Sequence, residues 1–214
     1  MAQTGLLFND RFVAMPWDAV DAVVFDIGNV LMRYDPAYLL RVMVEDPQRR
    51  EVLMERVFRS PYWLELDRGT LSYAEAPRRM AQGDAHLEGE IGYVLEHWCD
   101  YKTPISQGWA AVQACAAHGK RLCLLSNYHR EAFAYNLAHH EIFRLFDVRL
   151  ISCYVHQLKP EPEIYDTLIH VAGLDPARTL FLDDTLGNVQ GAMTAGLHGY
   201  WVRSAEEMRA FFGQ

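Results

Sequence analysis

The chain has 214 residues, half of them hydrophobic, with a net charge of −8 and an isoelectric point near 5.5. That length supports one sizeable core, or one core with a smaller lobe. The acidic balance offers no basic field for nucleic acid or anionic lipid, so an anionic substrate must be met by a few local cations. Residues 1–17 carry Asp10 and Arg11 inside their only apolar stretch, which leaves no signal-peptide core, and no run approaches a membrane span. A cytoplasmic protein is expected. Cys99, Cys115, Cys123 and Cys153 are widely spaced with no CxxC pair, the pattern of reduced, mostly buried thiols.

The first clear element is a short apolar strand over 22–26 that ends on the carboxylate of Asp26 and runs into a glycine-containing turn, Ile27-Gly28-Asn29. Ligands bind at the carboxyl ends of parallel strands, which makes Asp26 a candidate site residue; a turn or helix N-cap aspartate is the local alternative. From Ala37 to about Tyr101 the period is helical, with Leu39, Leu40 and Met43, then Leu53, Met54 and Val57, then Leu87, Ile91, Val94, Leu95 and Trp98. These stripes read as core packing. Asp46-Pro47 marks a helix start, and Ser72-Tyr73-Ala74-Glu75 reads as a capping box.

Lys102-Thr103-Pro104 is the return hinge, followed by a helix through Trp109 and Val112 that stops at His118-Gly119. Strand and helix then alternate. A strand over 121–125 ends in Ser126-Asn127, and a helix runs to about His139. A strand over 148–152 precedes a helix that begins near Pro160 or Pro162. A strand over 179–182 ends in Asp183-Asp184; a helix, a short strand over 200–202 and a terminal helix complete the chain. This alternation predicts an α/β fold, a Rossmann-like parallel sheet with helices on both faces, interrupted by a small all-α cap domain. The expected division is a core of residues 1–34 and 102–214 and a cap of residues 35–101.

Three strands end in polar groups that share one sheet edge: Asp26, Ser126-Asn127 and Asp183-Asp184. Each pair of carboxylates there repels by about 4 kcal/mol at about 4 Å and an effective dielectric near 20. A divalent cation removes that conflict, and an all-oxygen donor set selects Mg²⁺ over Zn²⁺. Lys159 stands just before a helix N-terminus, where the dipole does not favour a cation, so a separate anionic partner is implied.

The order of Phe25-Asp26-Ile27-Gly28-Asn29-Val30-Leu31, Leu124-Leu125-Ser126-Asn127, Lys159-Pro160-Glu161 and Phe181-Leu182-Asp183-Asp184-Thr185-Leu186-Gly187-Asn188 strongly resembles the four motifs of the haloacid dehalogenase superfamily. The resemblance covers essentially the whole chain. The helical insertion matches the position of that family's small cap, and the Gly-Asn-Val turn is most similar to the branch of sugar-phosphate phosphatases such as α-glucose-1-phosphate phosphatase. The resemblance implies in-line attack of Asp26 on phosphorus and hydrolysis of the aspartyl-phosphate. It implies Mg²⁺ held by Asp26, the Gly28 carbonyl, Asp184 and Asp183, the last direct or through water. Ser126 and the Asn127 amide would hold phosphoryl oxygens, and Lys159 would neutralise charge on nucleophile and phosphate. A small phosphorylated metabolite is the implied partner; oligomeric state is not readable.

One position departs from the pattern. Most family phosphatases carry an acid/base aspartate two residues after the nucleophile, and here that residue is Gly28. The role is ordinarily worth about 10²–10⁴ in rate. Asp35, Glu65 and Asp67 are the candidates to replace it, with Asp35 before Pro36 reading more readily as an N-cap. A sugar 1-phosphate, with its more acidic leaving oxygen, needs less help. Arg68 is a candidate substrate ligand or a solvated loop residue, and His129 is placed to line the pocket. His139-His140-Glu141 reads as a polar helix end. The rival readings are a metal-free 2-haloacid dehalogenase, which has no use for Asp183-Asp184, and an impaired family member that binds a phosphometabolite without turnover.

Overall fold

In the computed structural model, which describes residues 4–213, the apolar runs form five parallel strands: β1 (Ala22–Phe25), β2 (Arg121–Ser126), β3 (Val148–Ile151), β4 (Thr179–Asp183) and β5 (His198–Trp201). Their order is β3-β2-β1-β4-β5. Side chains alternate between two apolar clusters, as the two-residue strand period requires. Val23, Phe25, Leu124 and Leu182 face one cluster, and Val24, Cys123, Leu125 and Phe181 face the other. Burial on both faces is why these strands read as continuous hydrophobic runs.

Helices cover both faces. The first eight fall in chain order as α1 (Pro36–Met43), α2 (Pro47–Leu53), α3 (Pro61–Arg68), α4 (Ala76–Ala81), α5 (Ala85–His97), α6 (Ser106–Ala117), α7 (Arg130–His139) and α8 (Ser152–Val155). Then come α9 (Pro162–Ala172), α10 (Leu186–Thr194) and α11 (Ala205–Phe212). α6 and α11 cover the first cluster with Ala111, Val112, Met208 and Phe212, while α9 and α10 cover the second with Ile164, Leu168 and Ala192. The consecutive helices α1 to α5 extend the first cluster past the strand ends through Leu39, Leu53, Leu66, Ile91 and Val94. Each fully buried aliphatic side chain of that kind contributes about 1.5–3 kcal/mol.

The register aligns the strand ends. Phe25 is paired with Leu124 on one side and Leu182 on the other, so Asp26, Ser126 and Asp183 emerge at one edge. The Asp26 amide still donates to the Leu182 carbonyl at 2.9 Å, which carries the β1–β4 ladder one step beyond the strand.

Local signals were read correctly where they involve neighbours in sequence. Asp35 and Asp46 accept from the Tyr38 and Gln48 amides at 3.0 and 2.8 Å as N-caps. The four cysteines are free and buried. Three readings need correction. The expected capping box does not form: the Ser72 hydroxyl donates to the Glu75 carboxylate instead of accepting from an amide. Residues 72–75 make a turn, and α4 begins only at Ala76, because Tyr73 is drawn into the interior. β3 stops at Ile151, since Ser152 already opens α8. β5 begins at His198 instead of Tyr200, with Gly199 tolerated in the strand because Val189 of α10 packs where a side chain would stand.

Candidate active site

The Asp26 carboxylate forms the floor of a cavity of about 220 Å³. After β1 the chain curls back: the Leu31 and Met32 amides both donate to the Ile27 carbonyl at 2.9 Å. Asn29 takes a left-handed conformation, with φ of 51°. Its side chain then serves both ends of the turn, accepting from the Tyr34 amide and donating to Asp184 Oδ2, each at 3.0 Å.

Lys159 is the hub of the charges. Its Nζ lies 2.8 Å from Asp26 Oδ1 and 2.6 Å from Asp183 Oδ2, with all three side chains buried. Burial opposes the lysine charge, but the two carboxylates outweigh it and hold its pKa above the ordinary value. The Ser126 hydroxyl donates to the same Asp26 Oδ1 at 2.6 Å. The Asn127 side chain accepts from the Lys159 amide at 2.8 Å and donates to the Lys159 carbonyl at 3.0 Å, which leaves its own backbone amide as the group available to a ligand.

Asp183 is saturated. Besides Lys159, it accepts from the Thr185 amide at 2.8 Å and from Asn188 Nδ2 at 3.1 Å. Asp184 is less engaged, bonded to Asn29 and more distantly to Thr185. Burial, followed by the charge of Asp26, pushes the Asp184 carboxyl upward. Oxygen atoms of Asp26, Asp183 and Asp184 lie within 4.8 Å of one another. Among the described residues this hard, all-oxygen cluster has the donor chemistry of a Mg²⁺ site, with Asp26 and Asp184 holding the freer atoms.

The roof comes from the helical insertion. Trp63 and Asp67 of α3, Trp98, Tyr34 and the core residues Tyr128 and His129 line the cavity above the floor. Trp63 packs 4.2 Å from His129 and 5.3 Å from Trp98, ring centre to ring centre. Asp67 is buried, and desolvation, with Asp26 across the cavity, pushes its carboxyl up to about 8. His129 is buried too; desolvation, then Lys102, pushes it down to about 3 against a smaller pull from the Trp63 backbone. Lys102 lies beneath, donating to the Tyr128 hydroxyl over the faces of Trp98 and Tyr128. Desolvation pushes its amine down to about 8.

The site thus gathers Asp26, Gly28, Ser126, Asn127, His129, Lys159 and Asp184 at one cavity, with Asp183 directly behind Lys159. Arg68 is the correction: its guanidinium pairs with Glu161 and donates to the His156 carbonyl at 3.0 Å, so it closes the joint between insertion and core and does not line the cavity. Of the candidates to replace the absent acid, Asp35 caps α1 and Glu65 pairs with Arg79. Only Asp67 lies in the cavity. His139 bonds the Tyr135 carbonyl of its own helix, as a helix-end residue does. Sequence reasoning missed Asn29 and Asn188 as supports, although both stand in the quoted motifs, and missed Lys102 and Tyr73, whose local sequence carries no signal. Asn29 and Asp184 also border a neighbouring surface hollow flanked by Trp201 and Arg203.

Comparison with known proteins agrees with this geometry. Over 178 residues the chain is 22% identical to the sesquiterpene phosphatase astK of Aspergillus oryzae, covering 83% of this chain and 87% of that protein. The fold matches the haloacid dehalogenase family enzyme bt-2542 of Bacteroides thetaiotaomicron, solved with magnesium and inorganic phosphate. That match has a TM-score of 0.67, 20% identity and coverage of 85% of this chain and 93% of that one. It also matches L-2-haloacid dehalogenase of Xanthobacter autotrophicus with chloropropionic acid covalently bound, at a TM-score of 0.63, 21% identity and coverage of 86% and 77%. The haloacid dehalogenase-like hydrolase model matches residues 20–196, a span that reaches from the strand before Asp26 to the helix after Asp184, and the chain belongs to that family.

Proposed function

We propose that this hydrolase is a Mg²⁺-dependent phosphatase acting on a small phosphorylated metabolite, such as a sugar phosphate, with Asp26 as nucleophile. One observation carries the reading: a buried ammonium and a hydroxyl share Asp26 Oδ1, while Asp183 and Asp184 place further carboxylate oxygens within 4.8 Å. A haloacid dehalogenase needs the aspartate and the lysine but gains nothing from that acidic edge. A phosphatase uses it to hold a cation. The Aspergillus phosphatase and the magnesium–phosphate complex of the Bacteroides enzyme support the same choice.

The cation, when bound, supplies counter-charge to the nucleophile and the phosphoryl oxygens. Asp26, Asp184 and the Gly28 carbonyl would hold it, while Asp183, saturated by Lys159, Thr185 and Asn188, would act through water. Asp26 attacks phosphorus in line and forms an aspartyl-phosphate that water hydrolyses. Ser126 and the Asn127 amide hold phosphoryl oxygens, and Lys159 balances the charge that gathers between them. Residues 35–101 act as the cap, and residues 1–34 with 102–214 as the core. The aromatic faces of Trp63, Trp98 and Tyr34 in a cavity of about 220 Å³ suit a compact group with an apolar face, such as a sugar ring. Four buried free thiols suit a reducing, cytoplasmic setting.

The test is release of inorganic phosphate from sugar phosphates, nucleotides and an aryl phosphate, with Mg²⁺ or chelator, alongside Asp26→Asn. Mg²⁺-dependent release that Asp26→Asn abolishes is the expected result. Halide release from 2-haloacids without metal would select the dehalogenase instead, and phosphometabolite binding without turnover would select the impaired enzyme.

A further inference from the structure

We infer that Asp67, oriented by His129, donates the proton to the leaving oxygen and then activates water, a role for which Gly28 has no side chain. The inference rests on the phosphatase reading above. In-line displacement sets the direction from which help must come: Asp26 attacks from the floor, so the ester oxygen departs toward the roof. Among the described residues lining the cavity, Asp67 is the one carboxylate supplied by the helical insertion; Asp26 and Asp184 stand on the nucleophile's side.

Asp67 is held in place from several directions. The Ser152 hydroxyl donates to the Asp67 carbonyl while accepting from the Tyr128 amide. The next residue, Arg68, is bound to Glu161, and its carbonyl meets His156 Nδ1 at 2.9 Å. Gly69 then takes a φ of 73° and lies so close to the Cys153 carbonyl that no Cβ fits. The carboxylate itself faces His129, whose buried Nε2 has no hydrogen-bond partner in good geometry and stands 3.3 Å from Asp67 Oδ1.

The tautomer follows from the donors around the ring. Trp98 Nε1 donates to the Tyr73 hydroxyl, which in turn lies against His129 Nδ1, both at 3.0 Å; with one lone pair of the hydroxyl taken by the indole, its proton is placed to go to Nδ1. A neutral ring bonded in this way carries its proton on Nε2, which lies between the Trp63 backbone and Asp67 Oδ1. The ring sets one side of the Asp67 carboxyl, and the residue lines the cavity on the other. Asp67 and His129, pushed to about 8 and about 3, hold a carboxylic acid beside a neutral imidazole near pH 7, the states this step requires.

In the first half-reaction an Asp26 oxygen bonds to phosphorus, the bond from phosphorus to the ester oxygen breaks, and the Asp67 proton passes to that oxygen. In the second, the Asp67 carboxylate takes a proton from water as the water oxygen bonds to phosphorus. The bond from Asp26 to phosphorus breaks and inorganic phosphate leaves. Asp26 is again ionised and Asp67 again protonated.

The experiment compares an alkyl phosphate with 4-nitrophenyl phosphate, whose leaving group departs without a proton, for wild type and Asp67→Asn in Mg²⁺. Asp67→Asn is expected to lose about 10²–10⁴-fold in kcat/KM on the alkyl ester and much less on the aryl ester. With the aryl ester it accumulates phosphorylated Asp26, visible as one added phosphoryl group in the intact mass. The wild-type alkaline limb on the alkyl ester disappears in Asp67→Asn and shifts in His129→Gln. Lys102, Lys159, Asp26, Tyr34 and Tyr73 also face this corner; a limb that persists unchanged in Asp67→Asn belongs to one of them and overturns the assignment, as do equal losses on both esters. If Asp67→Asn does not fold, wild type alone decides: rates nearly independent of leaving-group acidity support a proton donor, and a steep dependence overturns it. A wild type that releases phosphate from neither ester overturns the phosphatase reading too, whereas an active wild type with a leaving-group-indifferent variant overturns this assignment alone.

Discussion

The Asn127 side chain grips the Lys159 main chain from both sides, accepting from its amide at 2.8 Å and donating to its carbonyl at 3.0 Å. The contact joins the end of β2 to the loop before α9. It fixes where the lysine side chain starts, and so where its ammonium ends.

Asn127→Ala therefore acts on a residue it does not replace. Loss of two partly buried hydrogen bonds costs about 1–3 kcal/mol, measured as a lowered melting temperature. Freed backbone at Lys159 lowers kcat by about 10-fold or more, since misplacement by about 1 Å costs up to about 10² in rate.

Lys159→Met removes the cation between Asp26 and Asp183. Two buried carboxylates are left uncompensated, and breaking a buried pair in this way costs about 3–5 kcal/mol. Denaturant melts in chelator show the full loss. Added Mg²⁺ restores part of it, because the acidic edge keeps its oxygen ligands.

If the acidic edge holds Mg²⁺ as proposed, the ion is expected to stabilise wild type against thermal unfolding by about 2.7 kcal/mol when present at about 100 times its dissociation constant. Asp184→Asn removes a carboxylate with free ligand capacity and reduces that shift. A wild-type melting temperature indifferent to chelator would exclude a metal at this edge.

Arg68→Ala changes little at the reaction centre. The Arg68–Glu161 pair is about one-third exposed on both partners, and such pairs contribute about 0.2–1 kcal/mol. KM stays near the wild-type value, whereas a large rise in KM would return Arg68 to the substrate.

Stability against pH follows from Asp67 and His129 with opposite signs. Asp67 is raised from 3.8 to about 8, so the unfolded chain loses this proton first and stability falls as pH climbs through that window. His129 is lowered from 6.5 to about 3, so the unfolded chain gains a proton first and stability falls as pH drops below 6.5. Between about pH 4 and 6.5 the two slopes oppose each other. From 6.5 to 8 the Asp67 slope stands alone of the two, at most about 1.4 kcal/mol per pH unit for one proton. Denaturant melts in chelator across this range show a smaller decline for Asp67→Asn than for wild type.

The floor of the site was legible because a parallel sheet buries its strands and leaves polar residues only at their ends. Asp26, Ser126 and Asp183 interrupt apolar runs, and the register then brings them to one edge. Asp35 and Asp46 were legible for a related reason, since an N-cap bonds an amide two or three residues away. The roof was less legible. Arg68 finds Glu161 across 93 positions, and His129 finds Tyr73 across 56; no local pattern encodes such partners. Asn127 was read for its amide while its side chain went unread, because the lysine loop it binds lies on another element. Asp67 and Glu65 were equal candidates on paper and are separated only by the turn of α3, which buries one in the cavity and leaves the other half-buried beside Arg79.

The cavity has unequal borders. Along Asp67–Gly69 the insertion is bonded to the core through main chain and side chain alike, whereas Asn29 and Asp184 open onto the surface hollow beside Trp201 and Arg203. The second border is acidic where Asp184 stands. Arg203 beside it is engaged with Glu207, so the Asp184 charge is not answered from that side chain. For the proposed chemistry, a cation held at Asp184 would offset this charge on the side of the hollow.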